Sequence, residues 1–239
     1  MCNNPEDCEV QVGNGFTVPD IASLSALENN CNATFCEWRF NPLQSAGRET
    51  HVNGIITSGD VSFQNDVASL MTASTVITAI DFEPAGYAIA AMRTSGTGGF
   101  EGELQTAAAK NFAVAISQQA SHGRVITAVS YSSPGTICFL SYSRKNDKST
   151  YEASVATAPT AGEAVAAATN LAAAGYIITG FGGNTLNGYV MVGTRVNGNA
   201  TPRPLQVVQS AGALPSQGYV QVASVSDASS GTNTFIFEK

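Results

Sequence analysis

Thr160–Val196 reads TAGEAVAAATNLAAA, GYIITGF, GGNTLN and GYVMVGTRV, and this stretch decides how the rest of the chain is read. Thr160 and Glu163 fit an S/T-x-x-E capping box, which satisfies free N–H groups at a helix start. Val165, Ala168 and Ala172 recur at helical spacing, and Gly175 supplies a residue suited to ending the helix. Two short runs rich in Ile, Val and Tyr then flank a Gly/Asn turn, the pattern of a hairpin. The order is helix, strand, turn, strand.

Working outward, the same order recurs upstream. Asn53–Thr57 (NGIIT) predicts a strand, with Asp60 as N-cap to a helix whose apolar face is Phe63, Val67, Leu70 and Met71. Thr75–Ile80 (TVITAI) and Gly86–Arg93 (GYAIAAMR) form the hairpin. Phe100–Thr106 (FEGELQT) alternates as a half-buried strand. Phe112, Ile116 and Ala120 mark the next helix, followed by Arg124–Val129 (RVITAV) and Thr136–Arg144 (TICFLSYSR). KNDKST is a loop leading into Tyr151–Thr157. Beyond Val196, the loop NGNATPRP precedes a strand at Leu205–Ser210. AGALPSQ then stands where a helix would, before strands at Gly218–Val225 and Asn233–Lys239.

Repetition is the strongest signal. Thr78, Thr127 and Thr179 close the VIT, VIT and IIT triplets at separations of 49 and 52 residues, and Arg93, Arg144 and Arg195 end strands 51 residues apart. The expected fold class is therefore α/β, with about five tandem βαββ units that complete one another's cores, helices outside. The units span roughly 8–50, 51–99, 100–149, 150–203 and 204–239. A cysteine-containing segment, 1–17, with a strand at Glu9–Val12, precedes the repeat domain at 18–239. The first unit is irregular: a helix near Pro19–Asn30, a strand at Cys31–Phe40 with the only tryptophan, then a polar stretch, Asn41–Thr50. Since unpaired strand edges are adhesive, the imperfect end units are expected to complete each other within the chain or pair between chains.

Helices separated by strands in about five units resemble the five-bladed α/β propeller of the penteins and of the ribosome anti-association factors. FEGELQT–helix–RVITAV–TICFLSYSR carries the resemblance, which is one of layout without a signature motif. It implies a closed ring. For a pentein enzyme it further implies a nucleophilic Cys assisted by a His, with carboxylates gripping a guanidinium.

Beyond the four clustered cysteines at 2, 8, 31 and 36, only Cys138, His51 and His122 enter that comparison. Cys138 and His122 are the weak catalytic candidates. Cys138 also reads as a buried structural thiol in an apolar strand, and His122 as a surface cation at a helix end. His51 lies in the irregular polar stretch. No metal-ligand cluster, phosphate loop or G-x-S-x-G elbow occurs, and GTGG and GFGG read as linker or hairpin glycines, so no cofactor or metal is expected.

Charged residues make up only 12% of the chain and the net charge is −7, which argues against a nucleic-acid partner. No apolar run approaches the roughly 18 residues of a membrane helix, and no signal peptide is read. Cys2, Cys8, Cys31 and Cys36 cluster at the N-terminus, as two disulfides would. Cys2 followed by Asn-Asn also fits the acylated first residue of a lipoprotein. Asn32 and Asn199 head N-x-T sequons.

The leading expectation is a non-catalytic extracellular or cell-surface module that binds a protein partner or assembles with itself. The alternatives are a pentein-like enzyme acting on a small guanidino compound, and a ribosome anti-association-type factor. Arg93, Arg144, Arg195 and Lys239 are expected along one rim. Glu101 and Glu152 each stand eight residues after one of the first two arginines, whereas Arg203 stands there after Arg195. Arg195 and Arg203 are thus the expected anion or partner contact.

Overall fold

The N-cap half of the capping box forms. Thr160 is extended (φ −129°, ψ 159°), and its hydroxyl accepts the Glu163 N–H at 3.3 Å. The helix Ala161–Ala173 follows, burying Ala164, Ala168, Leu171 and Ala172. The buried face is therefore centred one residue before Val165. The chain leaves the helix at Gly175, where φ is +84° and an added Cβ would lie 2.7 Å from the Ala200 carbonyl carbon. Only glycine fits both demands.

The computed structural model describes residues 10–12, 16–18, 25–27, 39–41, 49–54, 61–83, 86–93, 99–145, 147–184, 187–209, 219–227 and 232–238. In chain order they form β1 (Val10–Val12), β2 (Phe16–Val18), β3 (Ser25–Leu27), β4 (Arg39–Asn41), β5 (Glu49–Gly54), α1 (Val61–Leu70), β6 (Thr75–Glu83), β7 (Gly86–Arg93) and β8 (Phe100–Ala108). After a 3-10 turn at Ala109–Asn111 come α2 (Phe112–Ser121), β9 (Val125–Ser133), β10 (Thr136–Arg144), β11 (Tyr151–Ala158), α3 (Ala161–Ala173), β12 (Ile177–Asn184) and β13 (Gly188–Val196). The chain closes with β14 (Leu205–Gln209), β15 (Val220–Asp227) and β16 (Thr232–Glu238).

All pairing among the described residues is antiparallel. β1 pairs with β2 and β3 with β4, and four three-stranded sheets have the orders β5-β7-β6, β8-β10-β9, β11-β13-β12 and β14-β16-β15. In each of the four, the last strand in sequence sits in the middle, because a hairpin offers its second strand to the strand that came before it.

This corrects the expected fold. Among the described residues the strands make six separate sheets, there are three helices, and no sheet closes on itself. The chain is mostly β, and tandem βαββ units closed as a pentein-like propeller are not what it forms. Recurring triplets and evenly spaced arginines report local hairpins; they do not report closure. In the first 60 residues the helix expected at Pro19–Asn30 is replaced in part by β3, whose Ser25, Ala26 and Leu27 pair with Asn41, Phe40 and Arg39. Strand pairing there outweighs a weak helical preference. β5 starts at Glu49, earlier than expected, so His51 lies in a strand opposite Ala90 rather than in an irregular stretch.

Neighbouring sheets touch through bulged strands. Register shifts skip Thr78 in β6, Thr127 in β9, Thr179 in β12 and Val222 in β15. A bulge leaves backbone groups outside the ladder and bends the strand. The next sheet supplies partners: Ile77 N donates to the Tyr142 hydroxyl at 2.9 Å, the Thr127 hydroxyl donates to Ile77 O at 2.6 Å, and Ile178 N donates to Glu238 Oε2 at 3.1 Å. By register Tyr142 and Glu238 occupy matching places, opposite Val125 and Val220 respectively. Burial pushes the Tyr142 phenol up to about 12, with the Ile77 N–H and the Arg124 charge pulling the other way. Three apolar clusters fill the spaces between layers, one of them joining Phe112, Ile116, Ile126, Val129 and Phe139 to Val190 and Val192 of the next sheet.

Candidate functional site

Of the two sequence-predicted arginines, Arg195 brings its guanidinium, and Arg203 its backbone, to the C-terminus of α3. Helix ends leave carbonyls without intrahelical partners and carry partial negative charge. α3 has no basic residue in its own last turn, and Arg195 reaches in from β13 to donate through Nη1 to Ala174 O at 2.6 Å. Its guanidinium lies 4.4 Å from the centre of the Tyr176 ring. The Arg203 backbone N–H donates to Ala172 O at 2.8 Å, so the chain after β13 folds back onto the same helix end.

Arg195 is also neutralised. Glu152, opposite it in the β11–β13 ladder, accepts from Nε at 2.7 Å and from Nη2 at 2.5 Å through Oε2. The other oxygen accepts the Gly198 N–H at 3.2 Å. Arg195 hydrogen bonding first, and the Gly198 N–H second, hold the Glu152 carboxyl below its usual range, against a smaller opposing effect of burial. The side chains retain 19% and 34% exposure, so the pair sits at the margin between core and solvent.

The eight-residue offset from Arg144 to Glu152 does not make a pair. Glu152 turns to its cross-strand neighbour, and the Arg144 guanidinium lies 5.9 Å from the Phe100 ring, the residue opposite it in β8. Register also breaks the even spacing. Met92 faces Val76, Tyr142 faces Val125 and Thr194 faces Ile177, so Arg93, Ser143 and Arg195 are the matching positions. Arg144 is one residue further along, and one step along a strand turns a side chain to the other face. The four cations do not form one rim by symmetry. The side chains of Arg93 and Lys239 lie outside the described residues.

A second guanidinium was missed by sequence reasoning. Arg124, just ahead of β9, donates through Nε to the Ser141 hydroxyl at 2.9 Å, through Nη1 to the Ser143 hydroxyl at 3.3 Å, and through Nη2 to Glu101 O and Ser141 O, each at 2.9 Å. Glu103 is 3.6 Å from Nε. Ser141 donates on to Gln119 Oε1, and Gln119 to Gln105. A signal existed: Arg124 and Tyr176 each stand between a helix-ending glycine, Gly123 or Gly175, and a β-run. That position places a side chain at the junction of helix and sheet.

The catalytic candidates are not brought into a site. Cys138 lies in mid-strand β10, outside any disulfide, with 2% exposure, closed to a substrate. His122 is exposed at the C-cap of α2, its backbone N–H bonded to the last turn. No disulfide is formed among the described residues, and Cys2, Cys8, Cys31 and Cys36, the cysteines expected to make two, lie outside them. Among the described residues no group of His, Cys, Asp and Glu could hold a metal ion, and no helix is long and apolar enough to cross a membrane. The GFGG glycines are not a hairpin turn. Gly180, Gly182 and Gly183 lie within β12, and a Cβ on Gly182 would meet Val129 O at 1.7 Å, so Gly182 serves close contact between strands.

No family model matches the sequence, and neither a curated protein nor a solved structure matches the chain.

Proposed function

We propose that the chain is a non-catalytic module, acting outside the cell or on its surface, that assembles with copies of itself through strand pairing at β14. The observation carrying this reading is a contrast among outer strands. β8 presents exposed Glu101 and Glu103, and β11 carries Glu152 and packs against α2. Charge and cover are the usual ways of blunting an edge. β14 reads LQVVQ, carries no charge, is the outer strand of its sheet and leaves Val207 39% exposed. An uncharged edge with an exposed β-branched residue is a template for an added strand. The low charge of the whole chain and the engagement of its arginines at helix and strand ends fit a surface that works by contact rather than by chemistry.

The test is sedimentation of the protein over a range of concentrations beside Val207→Lys. Wild type is expected to associate as concentration rises and the lysine variant to stay monomeric. A wild type that remains monomeric, or a variant that associates equally well, removes β14 as the assembly edge.

A further inference from the structure

Asn197–Gly198 is one of four Asn-Gly pairs in the sequence, with Asn14, Asn53 and Asn187 heading the others. Asparagine is a thermolabile residue, and a following glycine leaves its side chain open to attack. The glycine backbone nitrogen attacks the asparagine side-chain carbonyl carbon and loses its proton, and ammonia leaves. A succinimide ring remains, which water opens to aspartate or isoaspartate. Water is the only co-reactant.

At residue 197 the structure holds this reaction shut. Asn199 N donates to Val196 O at 2.9 Å, closing a turn in which Asn197 and Gly198 are both exposed and Gly198 has φ +80°. Asn197 N is bonded to Thr150 O at 3.0 Å. The nucleophile itself, Gly198 N, donates its proton to Glu152 Oε1 at 3.2 Å, and Arg195 fixes that carboxylate through two bonds to the other oxygen. For attack, the Gly198 nitrogen must leave Glu152 and swing toward the Asn197 side chain.

We propose that Asn197 is a self-modification site guarded by the Arg195–Glu152 pair, and that each opening of this corner risks making the opening permanent. Aspartate at 197 places a second carboxylate close to Glu152, in competition for Arg195. Isoaspartate inserts an extra carbon into the main chain and carries Gly198 N away from Glu152. Either product weakens the bonds that close the corner where α3, β11 and β13 meet. Asn187–Gly188, at the other end of the nine-residue strand β13, is a built-in comparator that does not depend on Glu152.

The experiment ages wild type, Glu152→Ala and Arg195→Met at neutral pH and 37 °C, with aliquots of wild type in urea. Deamidation at Asn197 and Asn187 is followed by peptide mass spectrometry and isoaspartate detection. Folded wild type should lose Asn197 about tenfold or more slowly than the urea sample, as expected for a site that reacts only from a local opening. Both variants should speed Asn197 severalfold and leave Asn187 unchanged. Equal rates in folded and unfolded wild type, or an Asn197 rate insensitive to both variants, would overturn the guard. So would parallel acceleration at both asparagines, which reports general unfolding.

Discussion

The sheets β8-β10-β9 and β11-β13-β12 share strand order and bulge position, and each carries a guanidinium at the end of its helix, yet they deliver it from opposite strands. In the first sheet it comes from Arg124, ahead of β9, and reaches across to Ser141 and Ser143. In the second, Tyr176 holds the place of Arg124 and Arg195 the place of Ser143, with the guanidinium over the tyrosine ring. Arginine and a small acceptor have become an aromatic and arginine. What persists is a planar cation near the helix end; which residue supplies it is free to change. The two sheets also differ where they touch. By register Ser130 of β9 corresponds to Gly182 of β12, and the glycine is pressed against the backbone of Val129 and Ser130.

That second difference yields the largest predicted effect. A Cβ on residue 182 would fall 1.7 Å from Val129 O and 2.8 Å from its carbonyl carbon. Both neighbours are backbone, so no rotamer change relieves the overlap, and β9 and β12 must separate. Gly182→Ala is expected to cost more than about 4 kcal/mol, a large part of the stability of an ordinary domain. Ser130→Gly should cost only about 1 kcal/mol. Soluble yield and urea denaturation of the pair decide the matter. An alanine variant with the wild-type midpoint would mean that the two strands do not approach this closely.

The same contrast shows what could be read from the sequence. α3 and its hairpin were legible because capping, helical spacing and a terminal glycine agreed with one another. The strands of β9 and β10 were legible because RVITAV and TICFLSYSR are β-rich runs bounded by turns. The roles of the arginines were not, since residue spacing cannot see a one-residue register difference. Arg144 and Arg195 are 51 apart, but Ser143 is the match to Arg195. The partner of Glu152 was hidden for the same reason: a ladder brings Arg195 to it across 43 residues, while an eight-residue count pointed to Arg144. Closure into a ring was over-read. Repeated hairpins specify local sheets, and how sheets meet depends on contacts such as Gly182 against Val129, which no triplet encodes.

If the two corners are alternative solutions to one need, they should be exchangeable. Arg124→Tyr alone removes the donors to Ser141, Ser143 and Glu101 and should cost about 1–3 kcal/mol. Ser143→Arg alone crowds one guanidinium against another and should also destabilise. Together they rebuild the arrangement of Tyr176 and Arg195 within β8-β10-β9. The double variant is expected to recover at least half of the summed loss, a coupling of about 1 kcal/mol in a double-mutant cycle. Strict additivity in urea denaturation would break the comparison and leave the two corners as unrelated local solutions.

The smallest expected effect is one of pH. Most of the acceptors around Arg124 are hydroxyls and carbonyls, which do not titrate in the acid range, and Glu103 stands off at 3.6 Å with 47% exposure. Arg195 depends on Glu152, whose carboxyl the folded state holds below its usual range. A folded-state value below the unfolded one means that the folded state binds its proton less readily. The stabilisation from Glu152 is thus fully present above the ordinary glutamate value of about 4.3 and is lost as pH falls through the lower folded value. Because the pair is partly exposed, salt should reduce the effect. On acidification the Arg195 corner should therefore loosen while the Arg124 corner holds. Carboxyl 13C titration should show Glu152 ionising below the usual range in wild type and within it in Arg195→Met, and the Nε–H signal of Arg195 should fade at a pH where that of Arg124 persists. Identical Glu152 titration in the two proteins would show that the contact does not persist in solution. The loss of both Nε–H signals at one pH would show instead that the two corners open together, and the distinction between a titrating and a non-titrating cradle for the same cation would fall.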